Sequence, residues 1–310
     1  MSNRDNSLVV SFFERLYFRP NFLDWVFIAF FSPISLIFGT IMLFRRVLTF
    51  KKDYSIPIIS VGNLIVGGSG KTPFVIELAS RYSGVCIISR GYGRQSRGLI
   101  EVSRNGEILC DVLKSGDEPM LMAMSLPEAS VIVSEDRTKA IELAQKNGAK
   151  VIILDDGFNR VEIKKFDILL FPNKIKNYFP FPIGPFREFY FTKYFADLDF
   201  VEDIDFKRVV TIKNPTERMF LVTAISNPKR LEPYLPNGVV DRLYLQDHSY
   251  FDEEYLKKRI LSCNATSLLV TQKDEVKMRG FKLPLSVMEL KLEINSKKLE
   301  LIDKYIGVDS

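Results

Sequence analysis

Histidine is nearly absent: His248 is the only one in 310 residues. The scarcity marks the residue without assigning it a role. Cysteine is also sparse. Cys86, Cys110 and Cys263 lie too far apart to read as a disulfide framework or a thiolate metal site, which points to a reducing compartment. There is no arginine-rich tail, zinc-binding pattern, aromatic RNA motif, internal repeat or low-complexity tract. The formal net charge of +5 is modest. It suits anionic phosphates or an anionic membrane surface and gives no argument for nucleic acid.

What the chain does have is a glycine loop. Ile58 to Val61 reads as a short buried strand, and Phe74 to Ala79 as a helix. Between them, Gly67, Gly68, Ser69 and Gly70 precede Lys71 and Thr72. Strand, glycine loop, Lys-Thr and helix is the order of a phosphate-binding P-loop. Loop amides and the helix N-terminus would hold phosphate oxygens, Lys71 would supply a point charge, and the Thr72 hydroxyl could ligate Mg²⁺. One departure stands out, because Ile65 occupies the position where that motif carries its first glycine.

Trp25 to Phe44 runs without a charge and is long enough to cross a bilayer as a helix. Tyr17 and Trp25 lie near one end, and Arg45, Arg46, Lys51 and Lys52 follow the other. That is the flank the positive-inside rule expects beside a cytoplasmic domain. Pro33 can break or kink the helix, so a span, an interfacial helix and a buried core helix all stay open.

Further along, strands read over Val85–Ser89, Val131–Val133 and Phe166–Phe171, with the apolar run Val151 to Leu154 between the last two. The basic glycine loop Arg90-Gly91-Tyr92-Gly93-Arg94 is either a tight turn or a contact for an anionic substrate. Asp117-Glu118-Pro119 reads as a helix start, with capping ahead of catalysis. Asp136-Arg137 opens another helix. Four apolar residues ending in Asp155 and Asp156 have the form of a Walker B strand, which sets a carboxylate beside the P-loop for Mg²⁺. The proline-rich stretch Tyr178 to Phe191 presents Arg187 and Glu188, as a linker or as a stiff support. From about residue 200 a second, smaller α/β pattern restarts, with His248 before the helix Asp252–Leu261 and Thr271-Gln272-Lys273-Asp274 after a strand.

Taken in order, Val66 to Pro73, Ser89 to Gly93, Gly116 to Pro119, Asp155 to Phe158, Pro182 to Glu188, Asp247-His248 and Thr271 to Asp274 resemble the tetraacyldisaccharide 4′-kinase family of lipid A biosynthesis. Relatives usually read Gln-His where Asn159 and Arg160 follow Phe158. The resemblance implies an α/β fold with a P-loop core built on a parallel sheet, a second smaller α/β domain and an N-terminal hydrophobic membrane helix. It further implies a membrane-associated segment over 1–50, a kinase core over 51–200, and a C-terminal domain over 201–310 whose last helix can pack back on the core.

The implied reaction transfers the ATP γ-phosphate to the 4′-hydroxyl of an acylated disaccharide 1-phosphate at the cytoplasmic face of the inner membrane. Carried over by residue, Lys71 contacts phosphates, and Arg137 and Arg187 stabilise phosphate charge. Thr72, Asp155, Asp156 and Glu188 organise Mg²⁺. Asp117 acts on the sugar hydroxyl with His248 as helper, and on this reading the two meet only when the two α/β units face each other. The membrane lipid surface is the other partner; no nucleic acid and no protein partner is implied. The rival reading is a membrane-bound P-loop ATPase switch of the partitioning type, whose additional loop lysine would fall at Val66. A guanine-reading motif at Thr271 to Asp274 fails on spacing.

Overall fold

The structure is a computed structural model describing residues 2–67 and 70–307, with side chains from residue 9 onward. Gly68 and Ser69 of the glycine loop lie outside the described residues.

The elements in chain order are helices α1 (Ser2–Phe18) and α2 (Phe22–Leu48), strand β1 (Ile58–Gly62), α3 (Lys71–Ala79), β2 (Val85–Ser89), β3 (Ile100–Arg104) and β4 (Glu107–Ile108). Next come α4 (Val112–Ser115), α5 (Asp117–Ser125), β5 (Ser130–Val133), α6 (Arg137–Lys146), β6 (Val151–Asp155), β7 (Phe166–Phe171), β8 (Leu198–Val201), β9 (Phe206–Lys213) and β10 (Met219–Thr223). The chain closes with β11 (Val239–Tyr244), α7 (Glu253–Ser262), β12 (Ser267–Thr271), α8 (Gln272–Glu275), β13 (Leu285–Ile294) and α9 (Ser296–Ile306). Two compact units result. One comprises Met1–Lys71, Asp156–Lys207 and Ile294–Ser310; the other comprises Thr72–Asp155 and Arg208–Glu293.

In the first unit β1, β7 and β8 pair in parallel in that order. Every residue of β1 is buried, as expected of a parallel strand covered on both faces. The α9 helix belongs to this unit, where the Tyr305 hydroxyl donates to the Ile58 carbonyl at 3.3 Å.

Helix α2 begins in a capping box, Asn21 accepting from the Asp24 amide and Asp24 from the Asn21 amide. It continues through Pro33. The proline leaves the Ala29 carbonyl without its usual amide donor, and the Ser32 hydroxyl donates to that carbonyl at 2.9 Å. Its buried residues Asp24, Ile28, Ser35, Gly39 and Arg46 form a narrow stripe. Ser35 donates to the Pro180 carbonyl at 2.8 Å. A Cβ at Gly39 would stand 2.6 Å from the Phe189 ring, so only glycine lets the helix approach this closely. The remaining faces are apolar and open, with Phe22 81%, Phe30 77% and Ile37 63% exposed. A helix this apolar and this exposed is not a core helix.

In the second unit one sheet runs β4-β3-β5-β2-β6. Its β5, β2 and β6 are parallel, and β3 is antiparallel to both its neighbours. The other sheet runs β11-β10-β12-β13-β9. The strands β10, β12 and β13 pack with α7 through Phe220, Val222, Leu256, Leu268, Val270 and Val287. At the edge, β9 alternates between covered and open positions, as a strand with one solvated face does. Asp136 and Asp252 cap α6 and α7 by accepting from the amides of Lys139 and Tyr255.

Candidate functional site

In the first unit, β1 delivers the chain into Asn63 and the glycine loop, and Gly67 and Gly70 both adopt positive φ. The loop is fastened before it reaches the glycines. Ile65 bridges Phe186, the Val66 amide donates to the Pro185 carbonyl at 2.9 Å, and the Arg187 amide donates to the Leu64 carbonyl at 2.7 Å. Ile65 is buried in a cluster with Leu64, Phe158, Leu169, Phe171 and Phe186. That packing explains why isoleucine stands where the P-loop motif has glycine: the position faces a hydrophobic core.

Lys71 opens α3 and donates to Asn63 Oδ1 at 3.1 Å, with Asp156 Oδ1 at 3.6 Å. Asp156 is held in the left-handed region, φ 54°, and Arg187 Nη1 donates to both its carboxylate oxygens at 3.0 and 2.9 Å. Lys71, Asp156 and Arg187 are therefore together, two cations on one carboxylate. Glu188 lies beside them in sequence but faces elsewhere. Its carboxylate takes two bonds from Arg46, at 2.7 and 2.8 Å, and both side chains are buried. Arg46 also donates to the Phe158 carbonyl at 3.1 Å and lies 3.9 Å over the Phe158 ring.

In the second unit, Thr72 is the second residue of α3, and Asp155 ends β6. Asp155 Oδ2 accepts from the Ser89 hydroxyl at 2.8 Å. Arg137 is buried and turned inward, on the carbonyls of Ser134 and Asp155. Among the described residues no group of three or more His, Cys, Asp or Glu side chains is set to hold a metal unaided. A hydroxyl and one or two carboxylates are hard oxygen donors, and Mg²⁺ takes such a set together with phosphate oxygens and water.

The same unit brings Asp117 and His248 together. Asp117 is the first residue of α5, whose N-cap is Gly116, so its carboxylate is free of capping duty. Asp117 Oδ2 lies 3.1 Å from His248 Nδ1. Both residues belong to one compact unit and are already in contact, so the expected approach of two separate units is not what joins them. Burial alone would raise the Asp117 carboxyl; the His248 hydrogen bond and the Lys277 charge outweigh it and hold the group below its ordinary value. The glycine loop at 91–93 lines this pair. Tyr92 packs on the imidazole with ring centroids 5.4 Å apart, and a Cβ at Gly93 would lie 3.1 Å from His248 Nδ1.

A family model for tetraacyldisaccharide-1-P 4′-kinase matches residues 27–208. The chain belongs to the tetraacyldisaccharide-1-P 4′-kinase family. It is 50% identical over 297 residues to the tetraacyldisaccharide 4′-kinase of Helicobacter pylori strain J99, covering 95% of each chain. It is 44% identical to that of Aliarcobacter butzleri, covering 91% of this chain and 92% of the relative. The crystal structure of LpxK from Aquifex aeolicus in complex with ATP superposes with a TM-score of 0.75 at 29% identity, covering 90% of this chain and 99% of that one.

Three participants were not legible as such. Arg46 reads in sequence as one of a basic flank; only the spacing of the α2 stripe marks it as inward. Asn63 gives no signal. Lys277, which touches Asp117, sits in an ordinary Asp-Glu-Val-Lys-Met run.

Proposed function

We propose that this chain is a lipid kinase that transfers the γ-phosphate of ATP to the 4′-hydroxyl of an acylated disaccharide 1-phosphate. The observation that carries this reading over a switch ATPase is the 3.1 Å contact between Asp117 and His248. A hydroxyl acceptor must be oriented and relieved of its proton as the bond to phosphorus forms, and a carboxylate–imidazole pair supplies both functions.

Lys71 exchanges Asn63 and Asp156 for phosphate oxygens when nucleotide enters, aided by the amides of the glycine loop, Gly67 to Gly70. Arg187 is released in part by the same exchange and places its guanidinium against phosphate charge. Arg137 contributes from behind, by holding the end of β6 that carries Asp155. Thr72, with Asp155 and Asp156, would hold Mg²⁺; Glu188 would join only by exchanging its Arg46 partner. The ion, when bound, neutralises charge developing on the transferred phosphoryl group. Asp117 accepts the proton of the sugar hydroxyl, and His248 Nδ1 steadies and shares it.

The α2 helix is the anchor. Its stripe is seated on its own unit along most of its length while the opposite face is apolar. This arrangement fits a helix lying in one leaflet at the cytoplasmic face of the inner membrane, with its polar seat turned to protein.

The test is incubation of the detergent-solubilised protein with Mg-ATP and the acylated disaccharide 1-phosphate in mixed micelles. Formation of the 4′-phosphorylated lipid, with little ATP turnover when the acceptor is omitted, is the expected result. ATP hydrolysis indifferent to the acceptor, with no phosphorylated lipid, overturns the reading in favour of a switch.

A further inference from the structure

We propose that Lys277 and Asp274 are positioning residues for the Asp117–His248 pair: a buried ammonium that fixes the Asp117 carboxylate and a buried carboxylate that fixes the backbone carrying His248. The proposal rests on the reading of that pair as the proton acceptor.

Lys277 follows α8 in a short 3-10 turn, and its side chain is wholly buried. An ammonium has three N–H donors and no acceptor. Three acceptors surround this one. Asp117 Oδ2 and Asp274 Oδ1 each lie at 3.4 Å, and the Ser249 carbonyl accepts at 3.1 Å. The Phe251 ring closes the remaining side at 5.2 Å. Asp117 Oδ2 is thus shared between His248 and Lys277, which leaves the carboxylate little freedom to swing away from the imidazole.

Asp274 is fully buried and takes more donors than one ammonium requires. Its Oδ2 accepts from the hydroxyls of Thr223 and Thr271 at 2.6 and 2.7 Å, and its Oδ1 accepts from the Ala224 amide at 3.1 Å. The Ala224 carbonyl in turn accepts from the His248 amide at 3.2 Å. His248 itself has φ 62°, a conformation an L-residue keeps only when its surroundings impose it. Asp274 therefore fixes the turn after β10 that imposes it. Lys273, one residue earlier, repeats the pattern on the neighbours of the pair, reaching Glu118 at 3.4 Å and Asp247 at 3.6 Å. The Thr271 to Asp274 block, left without a task by the failed guanine reading, acquires one here.

A salt bridge serving stability alone would need only Asp274. The second carboxylate on Lys277 is the one that touches His248, and this directs the network at chemistry. The charged and titratable groups acting on Asp117 are His248, Lys277 and Lys273, and Tyr250 lies within range of its charge.

The experiment compares the wild-type chain with Lys277→Met and with Lys277→Met/Asp274→Asn, in which the buried ion pair is made neutral. Removing both charges together avoids stranding one in the interior. Measured are kcat and KM for ATP and lipid acceptor, the pH dependence of kcat, and the ring-proton NMR signals of His248, which are unambiguous in a chain with one histidine. The expected result is a kcat lower by roughly 10- to 100-fold, less than the roughly 10²- to 10⁴-fold a general base contributes, because the base is displaced and not removed. The KM for ATP should hold within about twofold, the acidic limb should move to higher pH as Asp117 loses a cation, and the His248 signals should be displaced.

A folded variant with wild-type kcat and an unmoved acidic limb overturns the proposal. So does a double variant that does not fold, which would make the pair a structural element. A wild-type chain that phosphorylates no lipid acceptor would instead remove the functional reading beneath it, a distinct failure seen in the control.

Discussion

Arg46, on the last turn of α2, and Glu188, next to Arg187, are joined by two hydrogen bonds of 2.7 and 2.8 Å, with side chains 6% and 2% exposed. The pair ties the apolar helix to the segment that presents Arg187 to Asp156. Arg46→Ala leaves a buried carboxylate uncompensated, which costs about 3–5 kcal/mol. Thermal unfolding should show that loss, and Arg46→Lys should recover little of it because an ammonium cannot make the two-pronged contact. Full stability in Arg46→Ala would mean that the pair is dispensable.

Lys71→Ala should abolish phosphoryl transfer while leaving the melting temperature nearly unchanged. Lys71 is a partly exposed side chain on Asn63 and Asp156, not a core element. Near wild-type turnover in this variant would end the P-loop assignment.

The two faces of α2 should respond differently. Phe30→Lys with Ile37→Lys alters only exposed positions, so liposome flotation should fall while stability holds. Gly39→Ala drives a methyl into the Phe189 ring and should lower stability by about 1–3 kcal/mol without changing the lipid-facing surface. Undiminished flotation of the double lysine variant would place the membrane contact elsewhere.

Stability in acid should carry the signature of Asp117. Its carboxyl is held below the ordinary 3.8 in the folded chain, so the unfolded chain binds the proton more readily. The resulting stabilisation is present above that ordinary value and is lost as pH falls through the lower folded value. Asp117→Asn should therefore show a flatter decline of stability below about pH 4 than wild type in a pH series of denaturant titrations. Parallel curves would show that the carboxyl is not shifted.

Cys86 is buried, and burial pushes its thiol up to about 12. Alkylation of the folded chain near neutral pH should label Cys110 and Cys263, which are half-exposed, and spare Cys86 until denaturant is added. Mass spectrometry showing early modification of Cys86 would contradict that placement.

The central strands β2 and β7 were legible because each is a short, largely apolar run that a parallel sheet buries almost throughout; both begin and end where the residue pattern puts them. The polar strands β3 and β4 were not, since Glu101, Ser103 and Glu107 break any apolar run. Helix α2 extends beyond its uncharged stretch because Asn21 and Asp24 cap it outside the run. At the candidate site, Lys71, Asp156 and Arg187 could be named from motif order, and so could Asp117 and His248. What sequence could not supply is which carboxylate each cation chooses. Glu188 goes to Arg46 and Asp156 to Arg187, a choice made by packing around Phe158 and Phe186. The run Asp-Glu-Pro predicts helix capping at Asp117; Gly116 takes that position instead.

The stripe on α2 also carries a reading-frame constraint. Ile28, Ser35, Gly39 and Arg46 reach their seats only because whole turns separate them. One residue inserted or deleted between Ile28 and Ser35 would rotate everything after it by about 100°. Ser35 would leave Pro180, Phe38 or Thr40 would meet Phe189, and a deletion would set Val47 against Glu188. Point substitutions over Ala29 to Ile34 are tolerable by comparison, so across this segment the count of residues is held more tightly than their identity.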